Sequence, residues 1–158
     1  FEEPIVPHDR QGYAFLARHL PIRLAAGESD YVAGDMAPAL HDRSLGLVQP
    51  DVARSGGITE TWRMAELAAA HHVAYAPHIG WSGAICAAAS LHLAAAAESF
   101  RTYECMVFDN PLRQSLCRPL VGDIAVLKDG MLDVPQGPGL GVELDRDALR
   151  DLAAPVMS

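Results

Sequence analysis

Lysine is almost absent from this chain. Lys128 is the only one in 158 residues, and the other 11 of its 12 basic side chains are arginines. No position but 128 can therefore offer a primary amine as a catalytic base. No basic cluster stands out either, and 20 acidic side chains against 12 basic ones give a formal charge of −8. That balance excludes nucleic acid as an expected partner. No apolar run approaches the length of a membrane span, so no membrane partner is expected. The Ala-rich stretch from Ala84 to Ala97 is broken by Ser90 and His92 and reads as a packed helix. The three cysteines, Cys86, Cys105 and Cys117, are odd in number and lack metal-site spacing. They argue against a disulfide framework and for a reducing, cytoplasmic compartment. No basic region with an apolar core behind it opens the chain, so a secretory signal is not expected. The chain begins Phe1-Glu2-Glu3-Pro4 without an initiator Met, as though cut within an element.

What is present fits a soluble domain with a core of its own: half the residues are hydrophobic and 20% are charged,. Short apolar runs alternate with amphipathic stretches. Helices are predicted over Arg10 to Leu20, Tyr31 to Arg43, Thr59 to His72 and Gly83 to Ala97. Strands are predicted at Ile22 to Ala26, Leu45 to Val48, Val73 to Pro77 and Phe100 to Val107. That alternation argues for βαβ units and a parallel sheet. The tail differs. Ile124 to Leu127, Asp129-Gly130 and Met131 to Val134 read as a β-hairpin, and Asp145 to Leu152 as a short helix capped by Asp145.

Each strand run ends in an ionisable residue: Glu2 and Glu3, then Glu28, Asp51, His78 and Glu104. The steps from Glu2 are 26, 23, 27 and 26 residues, one βα unit each. In a closed parallel barrel such strand ends converge on one face, where active sites lie. Carboxylates gathered there repel one another unless a cation is bound, and hard oxygen donors favour Mg2+.

These residues stand in recognisable words: Phe1-Glu2-Glu3-Pro4, Ala26-Gly27-Glu28, Gln49-Pro50-Asp51, Ser55-Gly56-Gly57-Ile58-Thr59, Ala76-Pro77-His78 and Gly137-Pro138-Gly139-Leu140-Gly141. In order and spacing the set resembles the enolase superfamily, and within it the mandelate racemase type of the mandelate racemase and muconate lactonizing enzyme family. The resemblance covers essentially the whole chain. It implies an α/β fold, the second half of a modified (β/α)8 TIM barrel from about the fourth strand to the eighth. A C-terminal hairpin and helix follow, and the N-terminal capping domain and first strands lie outside the chain. Residues 1–120 are then barrel, and 121–158 a hairpin, a Gly/Pro loop and a helix packing toward the capping domain.

The resemblance also implies roles. Glu2 and Glu28 match metal ligands for Mg2+, and Glu3 an acid behind them. His78 matches the base, Asp51 the acid that orients it, and Glu104 an acid that hydrogen-bonds the substrate carboxylate. The subgroup rests on Asp51, which stands where the muconate-lactonizing type has a lysine, together with His78. The activity implied is abstraction of an α-proton from a carboxylate through an enediolate, as in an acid-sugar dehydratase, a lyase. Racemase or sugar-acid lactone cycloisomerase (isomerase) chemistry, and a non-catalytic metal-binding scaffold, are the alternatives. The substrate would be a small acid sugar and the assembly a homo-oligomer. The family's third metal-ligand acid and second-strand lysine have no counterpart here. The chain by itself is therefore expected to bind Mg2+ poorly and to be inactive.

Other residues read more plainly. His71 and His72 suit a helix C-terminus, His92 a packed or surface position, and Asp9 a helix cap, with His8 beside it. Trp81 and Ser82 could line a pocket, Arg54 could pair with an acid or with solvent, and Asn110, Pro111 and Arg113 could contact substrate or shape a loop. The 137–141 cluster reads as a connecting turn, because it lacks the strand and helix of a phosphate loop.

Overall fold

The computed structural model describes residues 1–153. The chain forms two compact units, Phe1–His78 with Leu93–Glu104, and Ile79–His92 with Cys105 onward.

The first unit alternates helix and strand. Helix α1 (Arg10–His19) leads to strand β1 (Ala25–Ala26), α2 (Ala33–His41) to β2 (Leu47–Val48), and α3 (Gly57–Ala70) to β3 (Ala74–Tyr75). The strands are parallel and in chain order, with Ala25 paired to Leu47 and Leu47 to Ala74. Single parallel bridges extend the array on both sides, Glu2 to Ala25 and Tyr75 to Phe100. Five successive chain segments thus lie side by side, as the interval of one βα unit requires. The strand predicted over Phe100 to Val107 contributes only that bridge at Phe100, since no ladder forms beyond it.

The helices form for ordinary reasons. Asp9 caps α1 by accepting from Gly12 N at 2.9 Å,. Asp35 accepts from Tyr31 N and Val32 N at the start of α2. Their apolar faces meet the strands in one core of Tyr13, Leu24, Met36, Leu40, Val48, Met64, Ala68 and Tyr75. His71 and His72 lie exposed just past the end of α3.

The second unit holds the start of α4 (Ala84–Ala96), the short helix α5 (Pro111–Gln114), an antiparallel pair β4 (Cys117–Arg118) and β5 (Glu143–Leu144), and the terminal helix α6 (Arg146–Leu152). Asp145 caps α6 as expected. The predicted hairpin is reduced to its turn: Lys128 and Met131 form a single bridge, and no ladder runs on through Leu132 to Val134. Lys128 and Met131 do exchange both backbone hydrogen bonds around Asp129-Gly130, whose φ values of 49° and 77° suit a tight two-residue turn,. Ile124–Val126, however, is a 3-10 turn rather than a strand. Asp123 accepts from Ala125 N at 2.9 Å and coils the backbone there. The polar cap overrides the extended preference of the apolar run.

Arg113 and Asn110 prove structural. Arg113 is fully buried; its Nε donates to Asp123 at 3.0 Å and its Nη2 to Phe108 O at 3.3 Å. Asn110 caps α5 through Leu112 N and donates its amide to Trp81 O and Ser82 O. Trp81 and Phe108 are exposed and stacked, with ring centroids 5.8 Å apart. The backbone carrying each ring is thus anchored by a buried polar side chain. His92 is half-buried, with Nε2 3.1 Å from Leu140 O. Among the described residues, no helix is long and apolar enough to cross a membrane.

Candidate active site

All six residues that the sequence places at strand ends lie in the first unit. Three of them meet directly. Two loops position these, and each is built by the residues around it. Gly27, with φ of +132°, turns the chain between β1 and Glu28. A side chain there would sit 3.0 Å from Gln49 N, so only glycine lets β1 and β2 approach this closely. Asp30, two residues beyond Glu28, is buried and pairs with Arg10 at 3.1 Å. Ser55 Oγ donates to Asp30 O at 2.9 Å and so ties the loop after β1 to the loop after β2.

The loop after β2 is a single tight turn. Arg54 N and Ser55 N both donate to Asp51 O, at 2.9 and 2.7 Å, and Ala53 N donates to Asp51 Oδ1 at 2.8 Å. That leaves Oδ2 facing His78 Nδ1 at 2.8 Å. On the other side of the imidazole, Nε2 lies 2.9 Å from Glu28 Oε2. Glu28 Oε1 in turn accepts from Arg54 Nη1 at 2.9 Å.

The electrostatics follow from these contacts. Burial works to lower the His78 pKa, but the Asp51 hydrogen bond and the charges of Glu104, Glu28 and Asp51 outweigh it and hold the imidazole above its ordinary value. Burial works to raise the Asp51 pKa, and the bonds from His78 and Ala53 with the charges of His78 and Arg54 hold it below the ordinary carboxylate value. With a carboxylate at each ring nitrogen, His78 is clasped between Asp51 and Glu28, an arrangement that favours taking up a proton,.

The remaining acids lie around this trio. Glu2 is exposed beside the Ala25 bridge. Glu3 donates its backbone N–H to Ala25 O at 3.0 Å. Its side-chain Oε1 is buried without a hydrogen-bond partner, and its pKa is raised, first by burial and then by the charges of Glu28 and Glu2. Glu104 is half-buried and acts on His78 through its charge.

This donor set fits a hard divalent cation in kind. The carboxylate charges that raise the Glu3 pKa, and its orphaned oxygen, are what a bound cation would relieve,. It does not fit in number, because among the described residues no group of three His, Cys, Asp or Glu side chains is arranged to hold a metal. Two points were open in the sequence: the partner of Arg54 and the contact between Glu28 and His78. The regular spacing aligned these residues at strand ends without revealing which side chains would touch.

Known proteins share this chain's pattern. The family described as enolase C-terminal domain-like matches residues 1–148. A D-galactarolactone cycloisomerase of Agrobacterium fabrum is 35% identical over 98% of the chain and 42% of its own length. A D-galactonate dehydratase of Xanthomonas oryzae pv. oryzae is 33% identical over 94% of the chain and 39% of its own length. The crystal structure of the 3,6-anhydro-D-galactonate cycloisomerase from Zobellia galactanivorans superposes with a TM-score of 0.85 at 33% identity, covering 96% of the chain and 41% of that structure. The chain thus spans about two fifths of the length of the relatives it matches.

Proposed function

The chain belongs to the enolase superfamily, as the C-terminal part of its barrel domain, and from that premise we propose that it carries the base side of a Mg2+-dependent site that removes the α-proton of an acid-sugar carboxylate. The observation that supports this most is the Asp51–His78 bond of 2.8 Å between groups from adjacent strand ends.

A carboxylate on Nδ1 fixes the tautomer in which Nδ1 carries a hydrogen and Nε2 is the working nitrogen. Its negative charge stabilises the imidazolium formed when Nε2 takes the proton. The raised His78 pKa is in the direction a base needs. Nε2 becomes available once Glu28 disengages from it. Glu2 and Glu28 would supply two of the cation's ligands, and the cation when bound would supply positive charge against the enediolate. Glu104, if protonated on substrate binding, would donate to the substrate carboxylate.

Dehydration is the first reading: loss of the β-hydroxyl from the enediolate, assisted by a proton from the His78 imidazolium, yields a 2-oxo-3-deoxy acid. The second is lactone cycloisomerisation, favoured by the 35% identity to a D-galactarolactone cycloisomerase. Both begin with the same proton abstraction.

The test, made on full-length protein rather than on this chain alone, is exchange of the α-proton with deuterated solvent, followed by NMR across an acid-sugar panel with Mg2+ present. One or more substrates should exchange, and His78→Asn should abolish it. Product spectra then separate loss of water from ring opening. Absence of exchange for every acid sugar would favour a metal-binding scaffold, and undiminished exchange in the His78→Asn protein would remove His78 from the chemistry.

A further inference from the structure

Ser55 is fully buried, so neither solvent nor a substrate reaches it. Its two donors nevertheless join both halves of the site. The backbone N–H donates to Asp51 O at 2.7 Å and closes the turn after β2. The Oγ donates to Asp30 O at 2.9 Å, across 25 residues of sequence. Asp30 stands two residues beyond Glu28, in a turn that its own N–H closes onto Gly27 O at 3.2 Å. The Asp30 side chain is held from a second direction by Arg10, whose Nη2 also donates to Asp35 O in the first turn of α2. Asp51 and Glu28, the two carboxylates that flank His78, thus spring from turns joined through a buried hydroxyl. Arg54 makes another link, from Nη1 to Glu28 O at 3.3 Å. That side chain is long and 49% exposed, so the short, water-free Ser55 bond is the stiffer tie.

We propose, on the reading of His78 as the base, that Ser55 is a positioning residue: its hydroxyl fixes the turn that carries Glu28 against the turn that carries Asp51, and so sets the gap in which the His78 imidazole stands. The contacts of 2.8 and 2.9 Å on the two ring nitrogens leave the imidazole little freedom while both turns are held. When the Glu28 side chain leaves Nε2, the turn beneath it must stay in place for the ring to keep its aim. A shift of about 1 Å in such a constellation can lower a rate by about 100-fold. Without the hydroxyl, Asp30 O loses a buried donor. The turn after β1 then opens about 2- to 10-fold more often, the equilibrium weight of one ordinary hydrogen bond. Because Ser55 touches no substrate, its loss changes how often the three side chains are aligned and not what the substrate meets. The effect therefore falls on kcat and spares KM.

The full-length protein and two variants, Ser55→Ala and Ser44→Ala, test this. Ser44 is the matched control: it is buried at the opposite end of β2 from Asp51, and its Oγ donates to Ala39 O at 3.3 Å. Both variants should melt at a slightly lower temperature. In Ser55→Ala alone, amide hydrogen exchange over residues 27–30 should quicken by about 2- to 10-fold. In that variant kcat for α-proton exchange should fall by about tenfold or more, with KM within about twofold of the parent. Unchanged amide exchange over residues 27–30 would overturn the tie itself. A kcat within about threefold of the parent, a change confined to KM, or an equal loss of kcat in Ser44→Ala would overturn the positioning role. If the parent exchanges no α-proton with any acid sugar, the assignment of His78 falls and the catalytic part of this inference with it, whereas quickened amide exchange would still show that Ser55 holds the turn.

Discussion

Replacing Arg113 by Met would leave Asp123, itself 1% exposed, as a buried carboxylate without its cation. The contact is a single short one: Arg113 Nε lies 3.0 Å from Asp123, and the guanidinium is fully buried. Removing one member of such a pair typically costs about 3–5 kcal/mol, because the survivor is stranded in a poor solvent. Asp123→Leu should cost as much and additionally lose the cap at Ala125 N, worth about 1 kcal/mol. Replacing both together removes both desolvation penalties, so the double variant should lie about 2 kcal/mol or more closer to the parent than the sum of the singles. Urea denaturation of the four proteins measures the coupling. The pH dependence gives a second readout. Burial pushes the Asp123 carboxyl up, but the bonds from Ala125 and Arg113, with the Arg113 charge, hold it below its ordinary value. A depressed folded-state pKa contributes stability that is present above the unfolded value, near pH 4, and is lost as pH falls through the folded value. In Arg113→Met the Arg113 bond and charge are gone, so the loss of stability on acidification through that window should be smaller than in the parent,. Additive single and double costs, or a cost below about 1 kcal/mol for Arg113→Met, would refute the view that this pair shapes the loop.

Two further outcomes are expected. Asp51→Asn keeps the shape of the contact but removes the charge on His78 Nδ1; it should slow α-proton exchange by about 10²- to 10⁴-fold with the fold retained, and exchange within tenfold of the parent would show that Asp51 has no part in the chemistry. Gly27→Ala forces a Cβ to 3.0 Å from Gln49 N at a φ of +132°; the strain should cost about 1–3 kcal/mol by thermal denaturation, and an unchanged melting temperature would mean that β1 and β2 need not approach so closely.

The fold was legible where one rule governed the chain. Apolar runs recurring with the βα interval place β1, β2 and β3 in parallel order, and the helix boundaries follow within a few residues because Asp9 and Asp145 are strong caps. It was not legible where a distant polar partner decided. Ile124 to Val126 has the composition of a strand, yet Asp123 coils it, and Asp123 is held in place by Arg113 ten residues away. The same limit applied at the site. Spacing placed Glu28, Asp51 and His78 at successive strand ends, but their mutual contacts depend on the loops between, on Asp30 meeting Arg10 and on Ser55 meeting Asp30. Those pairs lie 20 and 25 residues apart in sequence, with no pattern to mark them.

The turn of residues 51–55 makes the site a coupled object rather than a set of independent acids. It delivers a negative charge to His78 through Asp51 and a positive charge to Glu28 through Arg54, from the same few peptide units. Glu28 and His78 then meet each other at 2.9 Å, closing a chain of alternating charge from Asp51 to His78 to Glu28 to Arg54. In such an alternation each group's preferred ionisation supports its neighbours', which is why Asp51 stays charged despite burial. Glu3 stands outside the alternation, among acids and without a partner for Oε1, and its pKa rises. The negative charge left uncompensated therefore lies on the Glu2 and Glu3 side of Glu28.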